Sequence, residues 1–191
     1  MATYNQKKAA RLNRHVAGSR RLPRITPEDL LRELQEMEED PFLLLLDGVQ
    51  DPHNLGACLR TADAAGVQAV VAPRKGSVGL TETVRRIACG GADQVHYIQV
   101  GNLNNFIRDL KKLGIRCVAT ADQADASLYE TELSGPLAVV MGAEGKGVRD
   151  LTSKLCDSLI GIPMQGHVEC LNLSVATGVC LYEAVRQRGG V

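Results

Sequence analysis

The stretch PFLLLLDGVQDPHNLGACLRTADAAGVQAVVAP, residues 41–73, decides the fold class. Residues 42–46 form a continuous apolar run, which is typical of a strand buried on both faces of a sheet. Residues 54–65 are predicted to form a helix that Gly66 ends, and residues 68–72 to form a second strand. A strand, a helix and a strand in this order predict two parallel strands joined by a crossover helix.

The same alternation continues along the chain. Further strands are predicted at 95–100, 115–120, 137–141 and 159–162, and further helices at 80–88, 102–113, 148–155 and 171–188. The sequence therefore predicts an α/β fold, a parallel sheet with helices on both faces.

A short helix is predicted before this alternation begins. Thr26 can cap it and Pro27 suits its first position, and it leads into the acidic run 36–40. We therefore divide the chain into a basic N-terminal arm with a short linker helix, residues 1–40, and a main domain, residues 41–191.

Composition excludes several classes of protein. Trp is absent and aromatic residues make up only 3% of the chain, so a platform of aromatic rings that stacks single-stranded bases is not expected. No apolar run has the length of a membrane helix, and no signal peptide is present, so we expect a cytoplasmic protein without a membrane partner. The six cysteines are dispersed and the four histidines scattered, so we expect reduced thiols and no metal site.

Charge is distributed unevenly although the formal net charge is zero. Residues 1–27 carry seven Lys and Arg and no acidic residue. We predict a flexible arm over residues 1–24 that contacts a polyanion such as nucleic acid. The alternative is a solvated tail that only aids solubility.

Three loops are expected at the carboxyl ends of the predicted strands, where parallel sheets bind their ligands. The first lies in DGVQDPHNLGACLR, residues 47–60. Gly56 and Ala57 allow a close approach by a ligand or another backbone, and Arg60 lies one turn further on the same helix face. Arg60 could hold a phosphate or an oxyanion, or it could form a surface pair with Asp63.

The second loop is MGAEGKG, residues 141–147. It is not a phosphate-binding P-loop, because the spacing before Lys146 is wrong and Gly147 follows in place of Ser or Thr. Glu144 suits a neighbouring cation such as a sulfonium, or the proton of a hydroxyl group. The alternative is a tight turn that merely needs glycine.

The third loop lies in IPMQGHVECLNLSVATG, residues 162–178. Asn172 and Ser174 stand at the start of a helix, where polar side chains and unpaired N–H groups suit the adenosyl part of a cofactor. Simple capping by one of these two residues is the alternative. A classical dinucleotide fold and an α/β-hydrolase are disfavoured, because neither G-x-G-x-x-G nor G-x-S-x-G occurs in the expected place.

Together, in this order and spacing, the three motifs closely resemble the SpoU (TrmH) family of RNA 2′-O-ribose methyltransferases, in the SPOUT superfamily. The resemblance covers residues 42–188 and is strongest to members that methylate a guanosine of 23S ribosomal RNA. It implies a trefoil knot near the C-terminus, S-adenosylmethionine as the methyl donor without a metal, an RNA substrate and a homodimer. Residues 41–191 would then form the methyltransferase domain.

The resemblance also implies roles for individual residues. The cofactor would be held by backbone and loop residues: Gly142, Ile162, Leu171, Met164, Thr120 and Ser174. The catalytic positions of the family match Asn54, Arg60, Glu144 and Asn172, and Arg60 would serve the cofactor of the partner subunit. We expect Arg60 to stabilise developing alkoxide charge, since a guanidinium with a pKa above about 12 is a poor base. Glu144, a phosphate or water remains as the final proton acceptor.

Two departures from the family pattern bear on function. Its ribosomal members usually carry an N-terminal RNA-binding domain that resembles ribosomal protein L30e, where this sequence has a short basic arm. Cys170 replaces the usual Ser and is a weaker hydrogen-bonding group. Methylation of transfer RNA and a non-catalytic RNA-binding module are the alternatives in function.

Overall fold

A computed structural model describes residues 21–122, 124 and 126–189 of the 191-residue chain. Within these residues, seven strands form one parallel sheet. They are β1 (Phe42–Asp47), β2 (Ala69–Pro73), β3 (His96–Val100), β4 (Arg116–Thr120), β5 (Ala126–Ser127), β6 (Leu137–Gly142) and β7 (Ser158–Gly161). Their order across the sheet is β3-β2-β1-β6-β4-β7-β5, so β6 lies between β1 and β4.

Helices cover both faces of this sheet. They are α1 (Pro27–Glu36), α2 (Pro52–Ala65), α3 (Glu82–Ala88), α4 (Gly91–Gln94), α5 (Leu103–Lys112), α6 (Asp150–Leu155) and α7 (Leu173–Gln187). Alternate β1 side chains point to opposite faces. Leu44 and Leu46 pack in a core cluster with α2 and α7, and Leu43 and Leu45 in a second cluster with α1 and α5. Burial on both faces explains why β1 is apolar throughout.

The predicted elements are confirmed, with ends that shift by at most two residues. Asp51 caps α2, Gly66 ends it in a left-handed conformation, and Asn102 caps α5. Two short elements, β5 and the four-residue α4, were not predicted from the sequence. The trefoil knot stays a prediction.

The N-terminal part is more closely attached than the sequence suggested. Thr26 and Asp29 cap α1 reciprocally, and Leu30 and Leu34 of this helix are buried against the sheet. Leu22 N donates to Asp93 O at 3.0 Å, so the end of the predicted arm contacts α4. Residues 1–20 of the arm lie outside the described residues, and the division near residue 41 stays a prediction.

Two features are absent from the described residues. No helix there is long and apolar enough to cross a membrane. No group of His, Cys, Asp and Glu in the same part of the chain is placed to hold a metal ion.

Candidate active site

The carboxyl ends of β1 and β6 meet side by side, since Asp47 pairs with Gly142. The loop after β1 leads into α2, where the Asp51 side chain accepts hydrogen bonds from the N–H groups of His53 and Asn54 at 3.0 and 3.4 Å. This cap places Asn54 in the first turn of α2, where it is only 6% exposed. A buried amide in a first turn needs partners for its polar atoms.

The partners of Asn54 come from the other two predicted loops. Asn54 Nδ2 donates to Glu144 Oε2 at 2.9 Å, and Asn172 Nδ2 donates to Asn54 Oδ1 at 3.1 Å. Three of the four predicted catalytic residues therefore form one hydrogen-bonded chain, although they are far apart in sequence. We call Asn172, Asn54 and Glu144 the polar chain.

Asn172 also caps α7. Its Oδ1 accepts from Ser174 N at 2.9 Å and from Ser174 Oγ at 2.7 Å. The capping alternative from the sequence is thus correct for Asn172, and the polar chain uses the other end of the same amide. The cap holds Asn172 in place for its contact with Asn54.

The loop after β6 turns back sharply on itself. Ala143 and Gly147 exchange two backbone hydrogen bonds at 3.1 and 2.9 Å, and Gly145 and Gly147 have positive φ angles. At Gly142, an added Cβ would lie 1.9 Å from the carbonyl carbon of Gly147, so only glycine fits. This tight turn fixes the position of Glu144.

A cleft on one side of the polar chain holds most of the predicted cofactor residues. Its lining includes Thr120, Gly142, Ile162, Met164 and Leu171, together with Glu144 and Cys170. Apolar side chains suit an adenine ring, and carboxylates suit a sulfonium or an ammonium group. The residues present therefore fit S-adenosylmethionine. We call this space the cofactor cleft.

Ser174 does not line the cofactor cleft, although the sequence analysis placed it among the cofactor residues. Its hydroxyl is directed to Asn172 instead. The structure therefore gives Ser174 a capping contact, and its role in binding stays a prediction.

A second cleft, of about 320 Å³, adjoins the polar chain and shares Ala143, Glu144, Gly147 and Leu173 with the cofactor cleft. Glu144 lines both clefts, and Asn54 lines the second one. Lys146 and Arg149 bring two cations to the second cleft, beside the carboxylates of Asp47, Asp51 and Glu144. A group bound there would meet Asn54 and Glu144 of the polar chain. We call it the cationic cleft.

Asp47 at the base of the cationic cleft was not predicted as a site residue. This carboxylate is 1% exposed, accepts a hydrogen bond from Arg149 N at 3.1 Å, and lies 3.3 Å from the Arg149 guanidinium. A buried carboxylate needs such partners. A signal was present in the sequence, since Asp47 is the only charged residue in an otherwise apolar strand.

Arg60 lies apart from the polar chain. Its side chain is exposed on α2, with Nη1 3.6 Å from Cys89 Sγ, and it lines neither cleft. The structure therefore does not bring Arg60 together with the other three predicted catalytic residues of the same chain. Its catalytic role stays a prediction that needs a second subunit.

Burial raises the pKa of four of the six cysteine thiols. It raises the pKa of Cys58 to about 11 and that of Cys117, Cys156 and Cys180 to about 12. These thiols stay protonated at neutral pH. Cys89 and Cys170 are exposed.

Comparison with known proteins places this geometry in a family. Residues 41–182 match the sequence pattern of the SpoU rRNA Methylase family. The chain belongs to this family. The resemblance inferred from the three motifs is confirmed, and the predicted α/β fold is that of solved SpoU methyltransferases.

The similar SpoU proteins include named ribosomal RNA enzymes. The chain is 56% identical over 165 residues to the 23S rRNA (guanosine-2′-O-)-methyltransferase RlmB of Shewanella oneidensis, covering 86% of the chain and 67% of that protein. It is 60% identical over 152 residues to RlmB of Pectobacterium atrosepticum, covering 80% of the chain and 62% of that protein. The chain thus spans about two thirds of the length of these relatives.

A solved SpoU structure contains the cofactor. The methyltransferase AviRb from Streptomyces viridochromogenes, in complex with AdoMet, matches with a TM-score of 0.73 at 26% identity. The match covers 79% of this chain and 59% of that one.

Proposed function

We propose that this chain transfers a methyl group from S-adenosylmethionine to a ribose 2′-hydroxyl of RNA. The target is a guanosine of 23S ribosomal RNA, and the reaction takes place in the cytoplasm. The observation that carries the proposal is the polar chain, because its Glu144 lines both the cleft suited to the cofactor and the cationic cleft, which Asn54 also lines. The family and the names of the relatives support the same reaction.

The cofactor supplies an electrophilic methyl carbon on a positively charged sulfur. The residues of the chain have to bring the 2′-oxygen to that carbon and receive the hydroxyl proton. Asn54 lines the cationic cleft and is fixed by hydrogen bonds at both ends of its amide. Because the geometry is preset, Asn54 can orient the ribose without reorganising during the reaction.

Glu144 is the proposed acceptor for the hydroxyl hydrogen. Its Oε2 accepts from Asn54, which leaves Oε1 to face a ribose in the cationic cleft. Lys146 lines the same cleft and would neutralise the adjoining phosphate, beside Arg149, which already pairs with Asp47. Glu144 also lines the cofactor cleft, where a carboxylate would stabilise the positive charge of the donor before transfer.

We further propose that the active unit is a homodimer built on the outer face of α7. Val175 and Tyr182 on this helix are 52% and 48% exposed, and Val168 just before it is 64% exposed. Exposed apolar groups on one surface mark an interaction site. A Cβ at Gly178 of α7 would lie 3.8 Å from Thr61 Cγ2, so Arg60 stands on the helix next to this face. A dimer would then carry Arg60 toward the clefts of the partner.

The experiment that tests the reaction uses labelled S-adenosylmethionine and separate pools of 23S ribosomal RNA and transfer RNA. We expect label in the ribosomal RNA, at the 2′-oxygen of one guanosine located by nucleotide mapping. Label in transfer RNA would identify the alternative substrate. The absence of label from both pools would contradict the proposal and favour a non-catalytic module.

A second experiment tests whether Arg60 acts across the dimer. Arg60→Ala and Glu144→Gln subunits are each expected to be inactive as homodimers. In a mixed dimer, one site has an intact Glu144 and receives Arg60 from the other subunit, so random mixing restores about a quarter of the wild-type rate. No recovery in verified mixed dimers would place the action of Arg60 within its own subunit.

A further inference from the structure

A third cleft lies at the β3 edge of the sheet, where residues 21–27 cross that strand. Its volume is about 490 Å³, within the range of about 300–1,000 Å³ found for ligand sites. Four arginines and a histidine line it: Arg21, Arg24, Arg74, Arg85 and His96. We call it the edge cleft.

The edge cleft has an excess of positive charge. No Asp or Glu is among its described lining residues. The neighbouring Asp93 takes up part of the charge, because it lies 2.8 Å from both Arg21 Nε and Arg85 Nη1. One carboxylate thus faces two guanidinium groups.

The remaining two arginines make no such pair. Neither Arg24 nor Arg74 forms an ion pair with another residue in the part of the chain that the structure describes, and both are exposed. Asp29 near the start of α1 does not neutralise them, since its carboxylate is bonded to Thr26 and Arg32. Two free guanidinium groups at one cleft point to an anionic ligand.

The edge cleft is connected to the candidate active site through one short loop. Arg74 directly follows β2 and lines the edge cleft, while Gly76, two residues later, lines the cationic cleft. A Cβ on Gly76 would lie 3.5 Å from the Arg149 guanidinium. Exposed Lys75 stands between the two positions. Cations therefore follow each other from Arg24 through Arg74 and Lys75 to Arg149.

We propose that the edge cleft binds the phosphate backbone of the RNA on one side of the nucleotide to be methylated. This inference rests on the proposed function, which supplies an RNA substrate. A line of cations that ends at the cationic cleft fits a polyanion with regularly repeated charges better than a single small anion. In the sequence, residues 1–20 precede the cleft and carry five further basic residues and no acidic one: Lys7, Lys8, Arg11, Arg14 and Arg20.

The test is an RNA-binding titration of the double variant Arg24→Gln/Arg74→Gln over a range of salt concentrations. The probe is 23S ribosomal RNA transcribed in vitro. Each lost phosphate contact lowers the slope of log affinity against log salt by about 0.7–0.9. Two lost contacts should flatten it by about 1.4–1.8 and weaken binding about 25- to 60-fold at 0.1 M salt. Cofactor affinity should match wild type.

A matched control is Arg108→Gln/Lys112→Gln, which removes the same charge from the exposed surface of α5. It should leave the salt slope within the experimental error. Equal losses in the two double variants would show that only net charge matters and would overturn the proposal. If the double variant fails to fold by circular dichroism, Arg24→Gln alone should flatten the slope by about half as much.

Failure of the inference can be told from failure of the proposed function. If the Arg24→Gln/Arg74→Gln variant keeps the salt slope and the KM for RNA of wild type, the proposal that the edge cleft binds RNA is overturned. That conclusion holds even if wild type methylates RNA. A wild-type chain that binds RNA through these arginines but transfers no methyl group would overturn the proposed function instead.

Discussion

Replacing Gly142 by alanine tests whether the tight turn after β6 shapes the cofactor cleft. The added Cβ would lie 1.9 Å from the carbonyl carbon of Gly147 and 2.2 Å from Val148 N. Carbon atoms in contact normally stand about 3.5–4.0 Å apart, so the loop would have to move by about 1.5 Å or more. Both clashing atoms belong to the backbone, and a side-chain rotation cannot relieve the clash.

The displacement should be measurable as lost stability. Overpacking of this kind costs about 1–3 kcal/mol, which lowers the melting temperature of a chain of this size by about 2–12 °C. The two backbone hydrogen bonds between Ala143 and Gly147 are the first contacts at risk. Differential scanning calorimetry gives the change directly.

The same displacement should weaken cofactor binding. Gly142 and Glu144 both line the cofactor cleft, so we expect the Kd for S-adenosylmethionine to rise about tenfold or more by isothermal titration. Gly101→Ala is the matched control, because a Cβ there meets no described atom within 4 Å. A Gly142→Ala protein with the melting temperature and Kd of the control would refute this reasoning.

Three further predictions concern Arg60, the dimer and acid stability. Arg60→Ala should abolish methyl transfer and leave the Kd for S-adenosylmethionine within a few fold; an equal loss of both would assign Arg60 to binding. Light scattering at micromolar concentration should give a dimer without RNA, and a monomer would contradict the role of the exposed α7 face. Hydrogen bonds from Arg186 and Gln187 lower the pKa of Glu183 to about 2 from 4.5, so the ionised carboxylate stabilises the fold above pH 4.5 and that stability is lost as the pH falls toward 2. Urea unfolding at pH 7 and pH 3 should therefore show a smaller loss in Glu183→Gln than in wild type.

The sequence predicted the sheet and its covering helices because long buried strands and capped helices leave clear patterns. β1 is apolar at five consecutive positions, and α2 is marked by Pro52 and Gly66. The two elements that were not predicted, α4 and β5, are too short to leave a hydrophobic pattern in the sequence. Cys89 ends α3 in a left-handed conformation, and Gly90, with a positive φ of 94°, lets the chain start α4 at the next residue. The two residues of β5 pair only at the sheet edge.

The candidate site was predictable to the extent that loops at the carboxyl ends of parallel strands meet. That rule brought Asn54, Glu144 and Asn172 together correctly. It could not give the contact of Asp47 with Arg149, because this contact requires β6 to lie beside β1, which sequence order does not reveal. Arg60 was linked to the site by its motif alone, and its helix face points elsewhere within one chain.

The insertion of β6 next to β1 has a consequence for how the chain folds. Phe42 pairs with Leu137, so the central pairing of the sheet closes a loop of roughly 95 residues. At synthesis rates of about 5–20 residues per second, β1 leaves the ribosome on the order of 5 to 20 seconds before its partner. During that interval one edge of FLLLLD, a strongly apolar segment, has no partner strand and can pair with other nascent chains. We therefore expect refolding to be slow and yield to fall with protein concentration, with the commitment step coming only after residue 142 is available.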